Sequence, residues 1–386
     1  MEHIAQTLVA TRYETILRVI QKQLADQVKT PFEIRLWGNR AYQFGKGAPV
    51  VKVLVKDRHG LAALGRMDEL GICEAYMAGS LDVAGDMLGF VSLRGLLSDR
   101  HPLHSLWRRI APMLLGRSQT DRQAIATHYD FSSEFYLKFM DPTRCYSHAV
   151  FERDDEGLES AQRRKLDFAI DACMLQPGDR VLDVGGGWGS FTEHAGRRAI
   201  QVTSLTISEQ QERYLTDLIQ RLQLPCRVLN QDFLDYTAPA AYDAIVILGV
   251  MEHLPDYPAV LRQCQRLLNP GGRLYLDASA FREKYSKPTF VSRYIFPGNH
   301  SYFCLHAFLA AVAKSQMEVL AVHNDRHNYM LTCTAWAKKL EAARDEIVDR
   351  WGEALYRRFR LYLWGSAHAF LTRGMDAYRV VLESPK

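Results

Sequence analysis

The 386-residue chain predicts an α/β fold: a doubly wound, mostly parallel sheet, preceded by a smaller N-terminal α+β domain and followed by helical additions. Three observations point there. From about Ile125 onward, short apolar β runs alternate with helical stretches. One of those runs, Arg180-Val-Leu-Asp-Val184, leads directly into four glycines within five positions, Gly185-Gly-Gly-Trp-Gly189. The first 110 residues follow a different pattern, with one helical stretch and two strand-like runs.

Taken in order, Thr7 to Leu24 has helical periodicity, and Phe32–Trp37 and Val50–Lys56 are expected strands of a first domain, residues 1–110. The basic, turn-rich stretch from Ser98 to Asp121 predicts a linker, set at 111–124, and residues 125–386 form the second domain. There Arg180–Val184 is the first strand, and Phe191 to Arg198 starts its helix. Ala199–Leu205 is the next strand, and Ser208 with Gln211 is a capping-box signal for the helix after it. Cys226–Asn230, Tyr242–Leu248 and Gly272–Leu276 supply further strands, and residues beyond Asn269-Pro-Gly-Gly272 finish the sheet. In such a sheet the ligand lies at the carboxyl ends of the strands.

At 47% hydrophobic, the chain is expected to be globular, with cores for two domains. No apolar run approaches the length of a membrane span and Met1-Glu2-His3 opens no secretory signal, so a cytoplasmic protein is expected. Seven scattered cysteines without a C-x-x-C pair suggest neither a disulfide framework nor a zinc site. His253, His323 and His327 lack metal-ligand spacing, and no metal is assigned. The net charge of +4 is mild, and no nucleic-acid partner is expected. Two segments, Leu106–Arg117 and Tyr356–Trp364, mix arginines with aromatic and aliphatic residues. Each fits an interfacial helix at anionic lipid or an ordinary helix packed on its own domain.

The glycine turn narrows the ligand. Glycines allow positive φ and close backbone approach. Gly185-Gly-Gly-Trp-Gly189 followed by Ser190 and Phe191 lacks the last glycine of a dinucleotide fingerprint, and no Gly-Lys-Ser/Thr follows. An acid followed by G-x-G-x-G is instead the pattern of S-adenosylmethionine-dependent methyltransferases.

Several motifs then occur in one order: His128-Tyr-Asp-Phe-Ser-Ser-Glu-Phe135, Cys145-Tyr-Ser-His148, the Gly185 turn, Leu205-Thr-Ile-Ser-Glu-Gln-Gln211, Gln231-Asp232 and Met251-Glu-His253. Together they resemble the cyclopropane fatty acid synthase family. The resemblance covers roughly Ile125 to the C-terminus, and Glu69 to Asp82 looks like the N-terminal domain of the longer bacterial members. It implies a Rossmann-like class I methyltransferase domain. The implied substrate is the double bond of an unsaturated acyl chain in a membrane phospholipid, met peripherally at the inner membrane surface. The N-terminal domain would bind lipid or form a homodimer.

By that resemblance, Tyr129, Tyr146 and Ser147 line the S-adenosylmethionine pocket with Gly185 and Gly187. Thr206 and Gln211 contact the ribose side, and Gln231 with Asp232 flank the adenine. For Gln231-Asp232 a turn cap is the simpler alternative. The family's proton acceptor is a bicarbonate held by a cysteine, a glutamate, a histidine and a tyrosine. Glu252 and Tyr329 match; His148 stands where cysteine is usual and Asp277 where histidine is usual. A second carboxylate near Glu252 would repel bicarbonate. Asp277, alone or paired with His148, is therefore a candidate base in its own right, and the alternative is that it caps the loop after its strand.

Methylating an alkene requires the sulfonium methyl in line with the π bond in a dry pocket, and the site of proton loss sets the product. Loss from the added methyl gives a cyclopropane; loss from a neighbouring carbon gives a methylated or methylene chain. Two other functions stay open: C-methylation of another hydrophobic alkene, such as a polyketide intermediate, and a non-catalytic lipid-binding protein.

Overall fold

The computed structural model describes residues 21, 28–37, 40–97, 133–284, 288–296 and 300–385. The chain divides into two compact units, Met1–Pro102 with Arg344–His368, and Leu103–Ala343 with Ala369–Lys386. The expected helix over Thr7–Leu24 falls almost wholly outside the described residues, as do the 111–124 linker and the Leu106–Arg117 segment.

In the first unit, alternating burial along β1 (Phe32–Leu36) and β3 (Val51–Val55) turns one face of a small sheet into a core. With β2 (Ala41–Phe44) and β4 (Leu81–Gly85) the strand order is β2-β1-β3-β4, with β1 and β3 parallel and the outer pairs antiparallel. Three short helices, Arg58–Arg66, Glu69–Met77 and Met87–Ser92, each start on an aspartate, Asp57, Asp68 and Asp86, whose carboxylate accepts from a backbone N–H of the first turn.

The helix Glu353–Leu371 corrects one expectation and decides between the two alternatives left open for Tyr356–Trp364. Most of it belongs to this first unit, although sequence placed residues 344–368 with the second domain. The physical reason is Arg357, buried, which donates to the carbonyls of Tyr76 and Leu81 at 3.0 Å each and lies over the Tyr76 ring. Tyr356, Phe359, Leu363 and Trp364 are buried as well, so Tyr356–Trp364 is a packed helix and not an interfacial one.

The second unit holds a seven-stranded sheet in the order β10-β11-β9-β8-β5-β6-β7. Its strands are β5 (Arg180–Val184), β6 (Gln201–Thr206), β7 (Arg227–Asn230), β8 (Tyr242–Leu248), β9 (Leu268–Ala280), β10 (Glu318–Asn324) and β11 (Asp376–Glu383). The five strands from β7 to β9 run parallel, and β11 is antiparallel to both neighbours. Alternate residues feed two cores. Leu182, Val184, Ile245 and Ile247 enter one, and Val181, Ala244 and Val246 the other, as a sheet covered on both faces requires. The strand order reverses between β5 and β8, which opens a crevice at their carboxyl ends. Among the described residues, no helix is long and apolar enough to cross a membrane.

The turn after β5 has little room to vary. Gly189 has φ +79°, and an added Cβ would sit 2.5 Å from Leu218 Cδ2 and 2.9 Å from Leu215 Cδ2. Gly189→Ala is expected to cost about 2 kcal/mol or more, from the left-handed backbone together with overpacking, read as a lowered midpoint in chemical denaturation.

Candidate active site

The crevice beyond β5 and β8 contains a cavity of about 140 Å³. Of the residues assigned to the methyl donor, Tyr146, Ser147, Gly185, Gly187, Thr206, Gln211, Gln231 and Asp232 all line it. Tyr129 lies outside the described residues. The floor is shaped for close backbone approach: Gly185 has φ +78°, and a Cβ there would meet Val250 Cγ2 at 2.5 Å. Beneath it, the buried Asp183 carboxylate accepts from Thr192 and Ser204 at 3.1 and 3.2 Å, and burial pushes it up to about 6 against those bonds. Arg144 clamps the turn from outside, its Nε donating to the Trp188 carbonyl at 3.0 Å.

The capping box is only half made. Ser208 caps the helix Glu209–Leu222, but Gln211 Oε1 accepts from Thr206 Oγ1 at 2.8 Å, and the N–H of Ser208 goes to Thr206 Oγ1 at 3.1 Å. Thr206 thereby spends its hydroxyl on Gln211 and Ser208, and the Gln211 Nε2 donor has no hydrogen bond among the described residues. Asp232 does cap its turn, accepting from the Leu234 N–H at 2.8 Å, and it also lines the cavity. A cradle of glycines with a polar rim fits a nucleoside ligand with no phosphates.

The acids come from β9 and the turn after β8. Asp277 and Ser279 are two apart on β9 and so share a face. Ser279 donates its N–H and hydroxyl to Glu252 Oε1 at 2.7 and 2.6 Å, which turns the Glu252 carboxylate toward the Asp277 face. Glu252 Oε2 and Asp277 Oδ1 are buried without a hydrogen bond among the described residues. Burial, offset partly by the Ser279 bonds and reinforced by the charge of Asp277, pushes Glu252 up to about 7. Burial likewise pushes the Tyr329 hydroxyl well above its usual range, with Cys333, Glu252 and Asp277 adding to the rise. Its ring stacks on Phe370 at 4.4 Å.

Of the two alternatives for Asp277, alone or paired with His148, the pairing is not made. Asp277 Oδ2 takes the hydroxyl of Ser147 and the ammonium of Lys165, both at 3.3 Å. His148 instead places Nε2 3.3 Å from Asp325 Oδ2. That aspartate is already gripped by Arg379 at 2.5 and 3.1 Å and by Asn328 at 2.8 Å. Although burial works the other way, His148 and Arg379 hold the Asp325 carboxylate well below its usual range. Asp277 does not cap a loop either: it lies within β9, in register with Leu248 and Arg379.

Lys165 is the residue that sequence reasoning missed. It is fully buried on the helix Leu158–Ala172, with Nζ 2.6 Å from Ser147 Oγ and 2.9 Å from Cys145 Sγ. Burial would lower its pKa, but Asp277 and Cys145 outweigh it and the net direction is upward, so the ammonium keeps its charge. One turn earlier, Gln162 donates to the Ser147 carbonyl at 2.8 Å. The signal was present in the stripe Leu158, Ala161, Gln162, Lys165, Leu166, Ala169, which places two polar residues where a helix faces its core.

Comparison with known proteins agrees with this geometry. Residues 116–380 match the family described as mycolic acid cyclopropane synthetase, and residues 19–94 match a domain of unknown function. The chain is 30% identical over 323 residues to the cyclopropane-fatty-acyl-phospholipid synthase of Escherichia coli K12, covering 81% of this chain and 82% of that one. It is 31% identical over 280 residues to cyclopropane mycolic acid synthase 3 of Mycobacterium tuberculosis, covering 67% and 96%. Among solved structures, mycolic acid cyclopropane synthase CmaA1 complexed with SAH and CTAB superposes with a TM-score of 0.63 at 28% identity, over 68% of this chain and 98% of that one. The match over residues 116–380, together with these relatives, makes this chain a member of the mycolic acid cyclopropane synthetase family of S-adenosylmethionine-dependent methyltransferases, which methylate or cyclopropanate lipid acyl chains.

Proposed function

We propose that the protein methylates the double bond of an unsaturated acyl chain in a membrane phospholipid, at the inner membrane surface, and that the proton released goes to a carboxylate of the protein itself. The observation that carries the second half is the pair of buried carboxylates, each with one oxygen lacking a hydrogen bond among the described residues, with Asp277 bonded to Ser147 of the cavity wall and Glu252 next in sequence to His253, which lines it. When bound, S-adenosylmethionine supplies an electrophilic methyl group. Gly185, Gly187, Gln211, Gln231 and Asp232 would hold its nucleoside, with Tyr146 and Ser147 closing the side nearest the acids.

The π electrons of the alkene form the new carbon–carbon bond as the methyl–sulfur bond breaks, its electron pair leaving with sulfur in S-adenosylhomocysteine, and a positive charge is left on the acyl chain. Glu252 and Asp277 stabilise that charge. Glu252 Oε2 then accepts the proton, its basicity raised by burial, while Asp277 stays engaged with Lys165. Tyr329 keeps its own proton and so cannot compete as the acceptor. Two carboxylates in this space oppose a bound bicarbonate, and no step requires one.

The test is to incubate the protein with S-adenosylmethionine and unsaturated phospholipid vesicles, with and without bicarbonate, and to take proton NMR spectra of the released acyl chains. New methyl-derived signals of equal intensity in both samples are expected: upfield cyclopropane protons if the added methyl loses the proton, vinyl or methylene protons if a neighbouring carbon does. Unmodified chains would remove the proposed substrate, and a bicarbonate requirement would remove the proposed acceptor. The double variant His148→Cys, Asp277→His is expected to gain bicarbonate dependence in the same assay.

Glu252 also predicts two pH effects. Its ionised form is the base, so kcat should rise with pH through a midpoint near 7 and lose that limb in Glu252→Gln. Stability should move oppositely. A carboxyl whose folded pKa is raised binds more protons in the folded state, so its stabilising contribution is full below the unfolded value and is lost as pH rises through about 7. The loss is on the order of 3 kcal/mol, and thermal melts across pH 5 to 8 should show it in the parent protein and not in Glu252→Gln.

A further inference from the structure

We infer that Lys165 is a positioning residue of the base site: its buried ammonium neutralises Asp277 and ties it to the Cys145–Ser147 wall of the donor cleft, and thereby sets how readily Glu252 takes a proton. The inference rests on the proposal that Glu252 is the acceptor, and deepens it.

Three contacts saturate the ammonium. Its N–H groups reach Ser147 Oγ at 2.6 Å, Cys145 Sγ at 2.9 Å and Asp277 Oδ2 at 3.3 Å, and the side chain is inaccessible to solvent. An ammonium in such a place is costly unless it is paired, and Asp277 is the only carboxylate paired with it among the described residues. Cys145 and Ser147 also line the cavity, so one cation touches both the donor wall and the acid pair.

The charged and titratable groups around the pair come from separate elements. Asp277 is on β9, Arg379 faces it across the β11 ladder, and Tyr329 stands on the helix Arg326–Ala342. Arg379 is committed to Asp325, which also faces His148, so it does not replace Lys165 as the partner of Asp277. Without Lys165, the Asp277 charge would bear on Glu252 uncompensated, and two like charges at close range share a proton.

Lys165→Met tests this in two ways. In a ¹³C-NMR titration of labelled glutamate carboxyls, with Glu252 assigned by its absence in Glu252→Gln and with no donor or lipid added, the Glu252 midpoint should move up by about one pH unit or more. With substrates, kcat at neutral pH should fall about fivefold or more and recover at higher pH, while KM for S-adenosylmethionine changes less than about twofold. The double variant Lys165→Met, Asp277→Asn removes both charges and should bring the midpoint back. Asp277→Asn alone leaves the ammonium unopposed and should move it below the parent value, which keeps the test decisive should Lys165→Met not fold.

A Glu252 midpoint unmoved in a folded single variant would overturn the inference, as would a loss of kcat matched by a rise in the donor KM, which is what a purely structural lysine would give. Because the titration uses no substrate, a failure of the phospholipid proposal leaves this result readable.

Discussion

The ion pair between Lys165 and Asp277 is the constraint on which the rest of the site depends. Both partners are completely buried, so neither can exchange its contact for water. The lysine comes from the helix before the sheet, the aspartate from β9, and the hydroxyl of Ser147 joins both from the loop that borders the donor cleft. Three separate stretches of chain are thus pinned at one point. Glu252, the acid of the pair with no ion pair among the described residues, is the one whose proton affinity rises into the neutral range.

A second charged group lies beside it with its own accounting. His148, Asp325 and Arg379 form a separate buried cluster, and Asn328 anchors it to the helix that carries Tyr329. Asn328 also accepts from the N–H of Phe151, and Thr332, one turn on, from that of Ala149. The segment following His148 is therefore bonded to the helix rather than to the cleft. His148 belongs to this network and Asp277 to the pair with Lys165, so the two residues that depart from the pattern the resemblance implies have different physical consequences.

Much of the fold could be read in the sequence. β5 and β8 have the bounds predicted for them, because each is a short apolar run closed by a glycine turn. β9 is longer than predicted, since Asn269-Pro-Gly-Gly272, which looks like a pure turn, lies inside the strand. Most of the helix Glu353–Leu371 falls in the first unit and not with its sequence neighbours, because Arg357, which looks solvated in one dimension, finds two carbonyls at Tyr76 and Leu81 of that unit. Within the site, the glycine turn and the acids were legible from motifs. The partners of His148 and Asp277 were not, because pairing of buried charges depends on long-range contacts between helix, strand and loop that no local pattern encodes.

The alternation along β9 has a further consequence for how faithfully the chain folds. Leu274, Leu276, Ala278 and Ala280 point into one core, while Asp277 and Ser279 point the other way. A slip of one residue in pairing would drive a carboxylate into hydrocarbon and strand Lys165 without a counter-charge. Misregistered chains are thus penalised by the same acid that serves the chemistry, so Asp277 also acts as a checkpoint on strand register during folding.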